Sequence, residues 1–82
     1  MLTSAQCRAA RGLIDWNQQQ LADAAGVGVA TIRLFEASKG EQRRSTLKVI
    51  RQALETAGVE FTNGDQPGVR LRKRQRAKTS KT

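Results

Sequence analysis

The sequence has 82 residues, with 15 Lys and Arg against seven Asp and Glu, one Cys and no His. This length suits one small domain that rests on apolar packing, because a single Cys cannot form an intrachain disulfide. Without His or a second Cys the usual zinc ligands are missing, so we expect no metal and no cofactor. No apolar run approaches the roughly 18 residues that span a bilayer, and no signal-peptide pattern follows Met1; these features predict a cytoplasmic protein.

The formal net charge of +8 is unevenly distributed. Residues 1–69 hold eight Lys and Arg against seven Asp and Glu, whereas residues 70–82 hold seven Lys and Arg and no acidic residue. Such a basic excess is typical of proteins that bind a polyanion, most often nucleic acid. Residues 73–82 have no apolar pattern and are predicted to form a basic disordered tail. The basic charge of this tail has two alternative explanations, nonspecific attraction to DNA and solubility.

The first predicted helix begins after Thr3, because Thr3 and Gln6 have the spacing of a capping box. It runs to about Ile14, with an inner side formed by Cys7, Ala10, Leu13 and Ile14. Asn17 and Gln20 repeat the capping signal at the start of a second helix, over about 18–25.

A third helix is predicted over about 29–37, where Val29, Ile32 and Phe35 recur at helical spacing. Gly26 lies just past the second helix, at a position that favours a residue able to adopt positive φ. Residues 17–37 therefore read as two short helices joined by a tight glycine corner. Two helices joined in this way form a helix-turn-helix.

Ser45 is predicted to cap a fourth helix, which carries its apolar residues on one face and ends at Gly58. Two stretches that alternate with period two, 59–62 and 69–72, then flank a segment rich in turn formers, which predicts a β-hairpin. The predicted fold is mainly α: a four-helix domain over 1–58, a hairpin extension over 59–72 and the basic tail over 73–82. The hairpin is a candidate surface for a dimer or a protein partner, because its strand edges are open.

The segment QQQLADAAGVGVATIRLFE, residues 18–36, resembles the helix-turn-helix of the phage-repressor-like (Cro and repressor, XRE-type) regulators. The matching positions are the small residue Ala22, the corner glycine Gly26, and the apolar residues Ile32 and Phe35. The resemblance covers about residues 3–57. It implies a transcriptional regulator that binds double-stranded DNA, as a homodimer on a palindromic operator, with the third helix in the major groove.

The resemblance also implies roles for individual residues. Arg11 and Glu36 match positions that form a partly buried structural ion pair. The expected DNA contacts lie at the start of the second helix, along the outward side of the third and in the loop after it: Gln18, Gly28, Val29, Ala30, Thr31, Arg33, Leu34, Lys39, Arg43 and Arg44.

The outward face of the third helix is poor in polar groups. Val29 and Leu34 have no evident inward role, so with Ala30 they are expected to touch thymine methyl groups. Thr31 and Arg33 are then the polar readers on this helix. Bidentate amide readout is absent, and DNA shape is expected to add to specificity.

Three other functions have less support. One alternative is a small antitoxin or antiactivator-type interaction module that also binds DNA. RNA binding by the basic tail is disfavoured, because one Trp and two Phe offer little for base stacking. An enzyme is not expected, because the chain lacks His and Tyr and its lone Cys falls on a predicted core face.

Overall fold

The computed structural model describes residues 2–62 and 67–72. Within this part the predicted mainly α architecture is confirmed. The helices are α1 (Ser4–Ile14), α2 (Gln18–Ala25), α3 (Val29–Glu36) and α4 (Arg44–Thr56), and the strands are β1 (Val59–Thr62) and β2 (Gly68–Leu71). Residues 63–66 of the predicted hairpin turn and the predicted tail, 73–82, lie outside the described residues. No helix in the described part is long and apolar enough to cross a membrane.

Both predicted capping boxes are confirmed. The Thr3 hydroxyl accepts a hydrogen bond from the Gln6 backbone N–H at 3.0 Å, and the Gln6 side chain accepts one from the Thr3 N–H at 3.0 Å. Asn17 and Gln20 exchange the same two bonds at 2.8 Å each. Each cap satisfies backbone N–H groups that a helix start leaves without partners, so α1 and α2 begin where the sequence indicates.

The corner between α2 and α3 is formed as predicted. Gly26 ends α2 with φ +75°. Its N–H and that of Val27 both donate to the Ala22 carbonyl, at 2.9 and 3.1 Å. These bonds close the last turn of α2, and α3 then begins after Gly28.

The predicted start of α4 was wrong. Arg43, not Ser45, is the residue before the helix, and no side chain caps this end. The Arg43 carbonyl instead accepts the backbone N–H groups of Thr46 and Leu47, at 3.0 and 3.1 Å. The extended backbone of Arg43 sets this boundary, so the hydroxyl of Ser45 lies already within the first turn.

Every element except β2 contributes a fully buried apolar side chain to one core. These side chains are Cys7, Ala10, Leu21, Ala22, Ile32, Ile50, Leu54 and Val59. Two expectations were wrong. Leu13, expected on the inner side of α1, is 38% exposed. Val29, expected to have no inward role, is half-buried and packs against the core.

The hairpin packs against the helices. β1 and β2 pair antiparallel, with Val59 opposite Leu71 and Thr62 opposite Gly68, and β2 begins one residue earlier than predicted. Val59 is fully buried. The Gln6 amide on α1 donates to the carbonyls of Thr62 and Gly68, at 3.3 and 3.2 Å. One buried side chain thus ties both strands to the first helix.

Candidate nucleic-acid interface

The helices α2 and α3 pack directly on each other. Ala22 on α2 and Ile32 on α3 are fully buried, and Phe35 packs against the same core. A small residue such as Ala22 allows two helices to approach closely at their crossing. The inner side of the helix-turn-helix therefore fixes the position of α3, and its other side is left for solvent or a partner.

The outward side of α3 carries few polar groups. Ala30, Arg33 and Leu34 are exposed, Leu34 to 47%, and Thr31 is half-buried. Gly28, before the helix, is exposed and has ordinary φ of −75°, and its carbonyl accepts the Thr31 N–H at 3.0 Å. Of the six DNA contacts predicted for this region, five lie on the outward side of α3 or at the residue before it: Gly28, Ala30, Thr31, Arg33 and Leu34. The sixth, Val29, is half-buried and turned partly toward the core.

Exposed cations follow this helix in the chain. Lys39, Arg43 and Arg44 lie between the end of α3 and the first residue of α4, and all are exposed. None of them, nor Arg33, forms a salt bridge with any residue of the described part. Cations that form no ion pair can bind phosphate without first giving up a protein partner.

The last residue of α3, Glu36, is the centre of a buried polar cluster. It is 5% exposed. Arg11 on α1 donates to both of its carboxylate oxygens, from Nε to Oε2 and from Nη2 to Oε1, each at 2.7 Å. A third Arg11 nitrogen, Nη1, donates to the Trp16 carbonyl at 3.0 Å. The family resemblance predicted an ion pair between Arg11 and Glu36, and the structure shows it as a bidentate salt bridge.

Three further side chains join the cluster, and the sequence did not indicate these contacts. The Cys7 thiol donates to Glu36 Oε2 at 3.1 Å, and Gln18 Nε2 donates to Glu36 Oε1 at 3.0 Å. Arg8 donates to the Glu36 backbone carbonyl at 2.6 Å. The signals available in the sequence were two spacings on α1: Cys7 lies four residues before Arg11, and Arg8 lies three residues before it, so both are neighbours of Arg11 on the helix surface.

The cluster shifts the ionisation of its members. Burial raises the pKa of the Glu36 carboxyl, but the hydrogen bonds from Arg11, Gln18 and Cys7 outweigh burial and hold it below its ordinary value. Burial and the neighbouring Glu36 carboxylate raise the pKa of the Cys7 thiol strongly. The hydrogen bond to Glu36 raises the pKa of Arg11. Near neutral pH the cluster therefore holds a carboxylate, a guanidinium and a neutral thiol, which suits a structural role.

Among residues 2–62 and 67–72, no three His, Cys, Asp or Glu side chains lie together as a metal ion would require. The fold and the exposed α3 instead define a class of protein, a small helical domain built to present one helix of a helix-turn-helix.

The comparison with protein families identifies that class. The chain belongs to the helix-turn-helix family of the Cro/C1 type, whose family model matches residues 8–61. This is a non-enzymatic DNA-binding family, and the protein is accordingly a DNA-binding protein. A comparison with curated proteins found no match. The matched range begins five residues later than the predicted resemblance, over 3–57, and continues beyond it to residue 61 in β1.

Proposed function

We propose that the protein is a sequence-specific transcriptional regulator that inserts α3 into the major groove of an operator. The observation that carries the proposal is the division of α3 into two sides. Ile32 and Phe35 anchor the helix in the core, while Arg33 and Leu34 are exposed, and further exposed cations follow the helix in the chain. An α-helix fits the major groove, where each base pair presents a distinct pattern of donors, acceptors and methyl groups.

The base contacts follow from the side chains available. Arg33 is suited to a guanine edge, which accepts two hydrogen bonds from one guanidinium. Thr31 offers a hydroxyl, and Ala30 and Leu34 offer apolar contact with thymine methyl groups. Lys39, Arg43 and Arg44 then contact phosphates and set the orientation on the duplex without reading sequence.

The readout is tested with an operator selected from random DNA by the purified protein. Arg33→Ala and Thr31→Ala should each weaken operator binding by about 1–3 kcal/mol, and weaken binding to random DNA much less. Arg43→Ala is the matched control. It should weaken binding to both DNAs alike and lower the slope of log K against log salt by about one. Equal losses on operator and random DNA for the Arg33 and Thr31 variants would overturn the assignment.

The proposed regulator acts in the cytoplasm as a homodimer on a palindromic site. One recognition helix covers only a few base pairs, whereas two copies place half-sites one helical turn apart. The hairpin supports this proposal, since each strand has one edge that no other described strand covers. Leu71, at the end of β2, is 49% exposed. An open edge with an exposed apolar side chain can pair with its own copy around a two-fold axis.

Light scattering on the full chain tests the dimer and its surface. Leu71→Glu should convert dimer to monomer, because it places two like charges in a symmetric interface. Leu13→Glu makes the same change at an exposed leucine on α1 and should leave the dimer intact. A dimer broken only by Leu13→Glu would move the interface to α1. A wild-type chain that stays monomeric would favour the alternative, in which the hairpin edge binds a partner protein as in an antitoxin-type module.

A further inference from the structure

Gln18 is placed by a buried carboxylate on another helix. It is the first residue of α2 and is half-buried, and its Nε2 donates to Glu36 Oε1 at 3.0 Å. The same oxygen accepts Arg11 Nη2 at 2.7 Å, so Glu36 itself is held in one position by a bidentate partner. The amide of Gln18 therefore meets a fixed acceptor and not a mobile surface group.

The chemistry of the carboxylate determines which way the amide points. An ionised carboxylate only accepts hydrogen bonds, so Gln18 must turn Nε2, and not its oxygen, toward Glu36. Nε2 carries two hydrogens, and the bond to Glu36 uses one of them. The second hydrogen remains as a donor whose direction is fixed by the first bond. A free glutamine would instead present its oxygen or its nitrogen with similar ease.

A DNA phosphate, like a carboxylate, only accepts hydrogen bonds. We propose that Glu36 is a positioning residue for DNA binding, which orients the Gln18 amide so that its second N–H faces a backbone phosphate. This inference rests on the proposed function and on the expectation from the sequence that Gln18, at the start of α2, contacts DNA. The negative charge of Glu36 does not oppose the phosphate, because Arg11 neutralises it and Arg8 lies on the carbonyl of the same residue.

A double-mutant cycle on DNA affinity tests this inference. Gln18→Ala removes the phosphate donor and should weaken binding about tenfold, the effect of one hydrogen bond to a charged group. Glu36→Gln keeps an oxygen for Arg11 but can also donate, so it no longer fixes the Gln18 amide. It should cause most of the same loss when Gln18 is present and no further loss in Gln18→Ala. Equal losses from Glu36→Gln with and without Gln18, or no loss in either case, would overturn the inference.

Cys7→Ala is the matched control within the cluster. It removes a hydrogen bond from Glu36 Oε2 and leaves the Oε1 contact with Gln18 in place. It should therefore lower stability without changing DNA affinity at temperatures where the variant is folded. A loss of affinity equal to that of Glu36→Gln would show that damage to the cluster as a whole, and not the orientation of Gln18, weakens binding.

A measurement on the wild-type chain does not depend on the folding of any variant. In NMR spectra of the free protein, one of the two Gln18 Nε2 hydrogens should be protected from exchange with solvent. In the DNA complex both should be protected. Protection of neither hydrogen in the free protein, or of one only in the complex, would overturn the inference.

This inference can fail while the proposed function stands. The phosphate contact carries no sequence information, so the cycle should give the same result on operator and random DNA. If Gln18→Ala leaves affinity unchanged on both while Arg33→Ala still discriminates between them, only the role of Glu36 and Gln18 is lost. If the chain selects no preferred sequence from random DNA, the proposed function itself fails.

Discussion

At the scale of the residue, Glu36 links three helices through one carboxylate. It belongs to α3, its bidentate partner Arg11 to α1, and a third donor, Gln18, to α2. A buried carboxylate is costly unless its oxygens are satisfied, and here each oxygen accepts two hydrogen bonds. Removal of Arg11 would leave the Glu36 charge buried without a positive partner, so this pair is costly to break.

The stability of the protein should therefore depend on pH through Glu36. Its pKa in the folded protein is below the ordinary 4.5, so in acid the unfolded chain takes up the proton first. Between the two pKa values the unfolded state binds more protons, and stability falls as the pH decreases. The contribution of Glu36 is complete above the unfolded pKa and is lost once the pH passes below the folded one.

Urea unfolding midpoints between neutral pH and pH 3 measure this effect. Glu36→Gln should be less stable at neutral pH and should lose less stability in acid than wild type. Glu60→Gln is the control, because Glu60 pairs with Arg70 and Arg72 and its side chain is 36% exposed, and ion pairs near the surface contribute little. Parallel pH curves for wild type and Glu36→Gln would contradict the prediction.

Residue roles were predictable where they follow from a repeated local pattern. Ala22, Gly26 and Ile32 occupy positions that any helix-turn-helix constrains sterically, and all three are placed as expected. Leu13 and Val29 were misplaced because each lies at the margin of an apolar stripe. Helical periodicity defines the centre of a buried face, whereas the neighbouring helices decide how far burial extends.

At the scale of the element, the corner between α2 and α3 depends on one backbone conformation. Gly26 has φ +75°, and a Cβ built there would meet no atom within 4 Å. Gly26→Ala should therefore destabilise the protein by about 1–2 kcal/mol through backbone strain alone. Gly12 gives the opposite control, since it lies in α1 with open space around its Cβ position and no positive φ.

Gly12→Ala should stabilise the protein by about 0.5–1 kcal/mol, because alanine loses less backbone entropy in a helix. Thermal or urea unfolding of the two variants and of wild type measures whether each substitution lowers or raises the stability. Equal effects of the two substitutions would show that helix propensity, and not the left-handed conformation of Gly26, determines the result.

Element boundaries were predictable where a side chain marks them. The capping boxes fixed the starts of α1 and α2, because their signals are short-range and reciprocal. The start of α4 carries no side-chain cap, so the sequence held no signal for it, and the prediction of Ser45 as its N-cap was wrong. There the loop that leaves α3, with positive φ at Ser38 and Gly40, determines where the chain turns into the next helix.

At the scale of the whole molecule, the hairpin is part of the folded unit. Val59 lies fully buried in the core, and Gln6 joins both strands to α1. The Arg72 side chain donates to the Glu55 carbonyl at 3.1 Å, which holds the end of the hairpin to α4. The Gln6 contacts link residues 56 and 62 positions apart, and the Arg72 contact links residues 17 apart, so no local pattern reveals them. A chain cut at Gly58 would lose core packing, so single substitutions at the strand edge test the dimer more cleanly.

The charge of the molecule argues for a sequence-independent contribution from its last ten residues. Residues 73–82 hold five Lys and Arg and no acid, whereas residues 1–69 are nearly neutral. Each cation that neutralises a phosphate releases counterions and adds about 0.9 to the slope of log K against log salt. Replacement of all five by Gln should therefore lower that slope by at most about 4 to 5 units.

After the replacement of these five cations by Gln, the affinity of the protein should fall equally for operator and random DNA. The ratio of the two affinities should therefore stay near that of wild type. Arg33→Ala provides the contrast, since it should lower this ratio with little change in the salt slope. Fluorescence anisotropy titrations between 50 and 200 mM salt, with both DNAs, give slope and ratio together. An unchanged slope after replacement of the five cations would assign them to solubility, and the exposed cations between α3 and α4 would then account for the phosphate contacts.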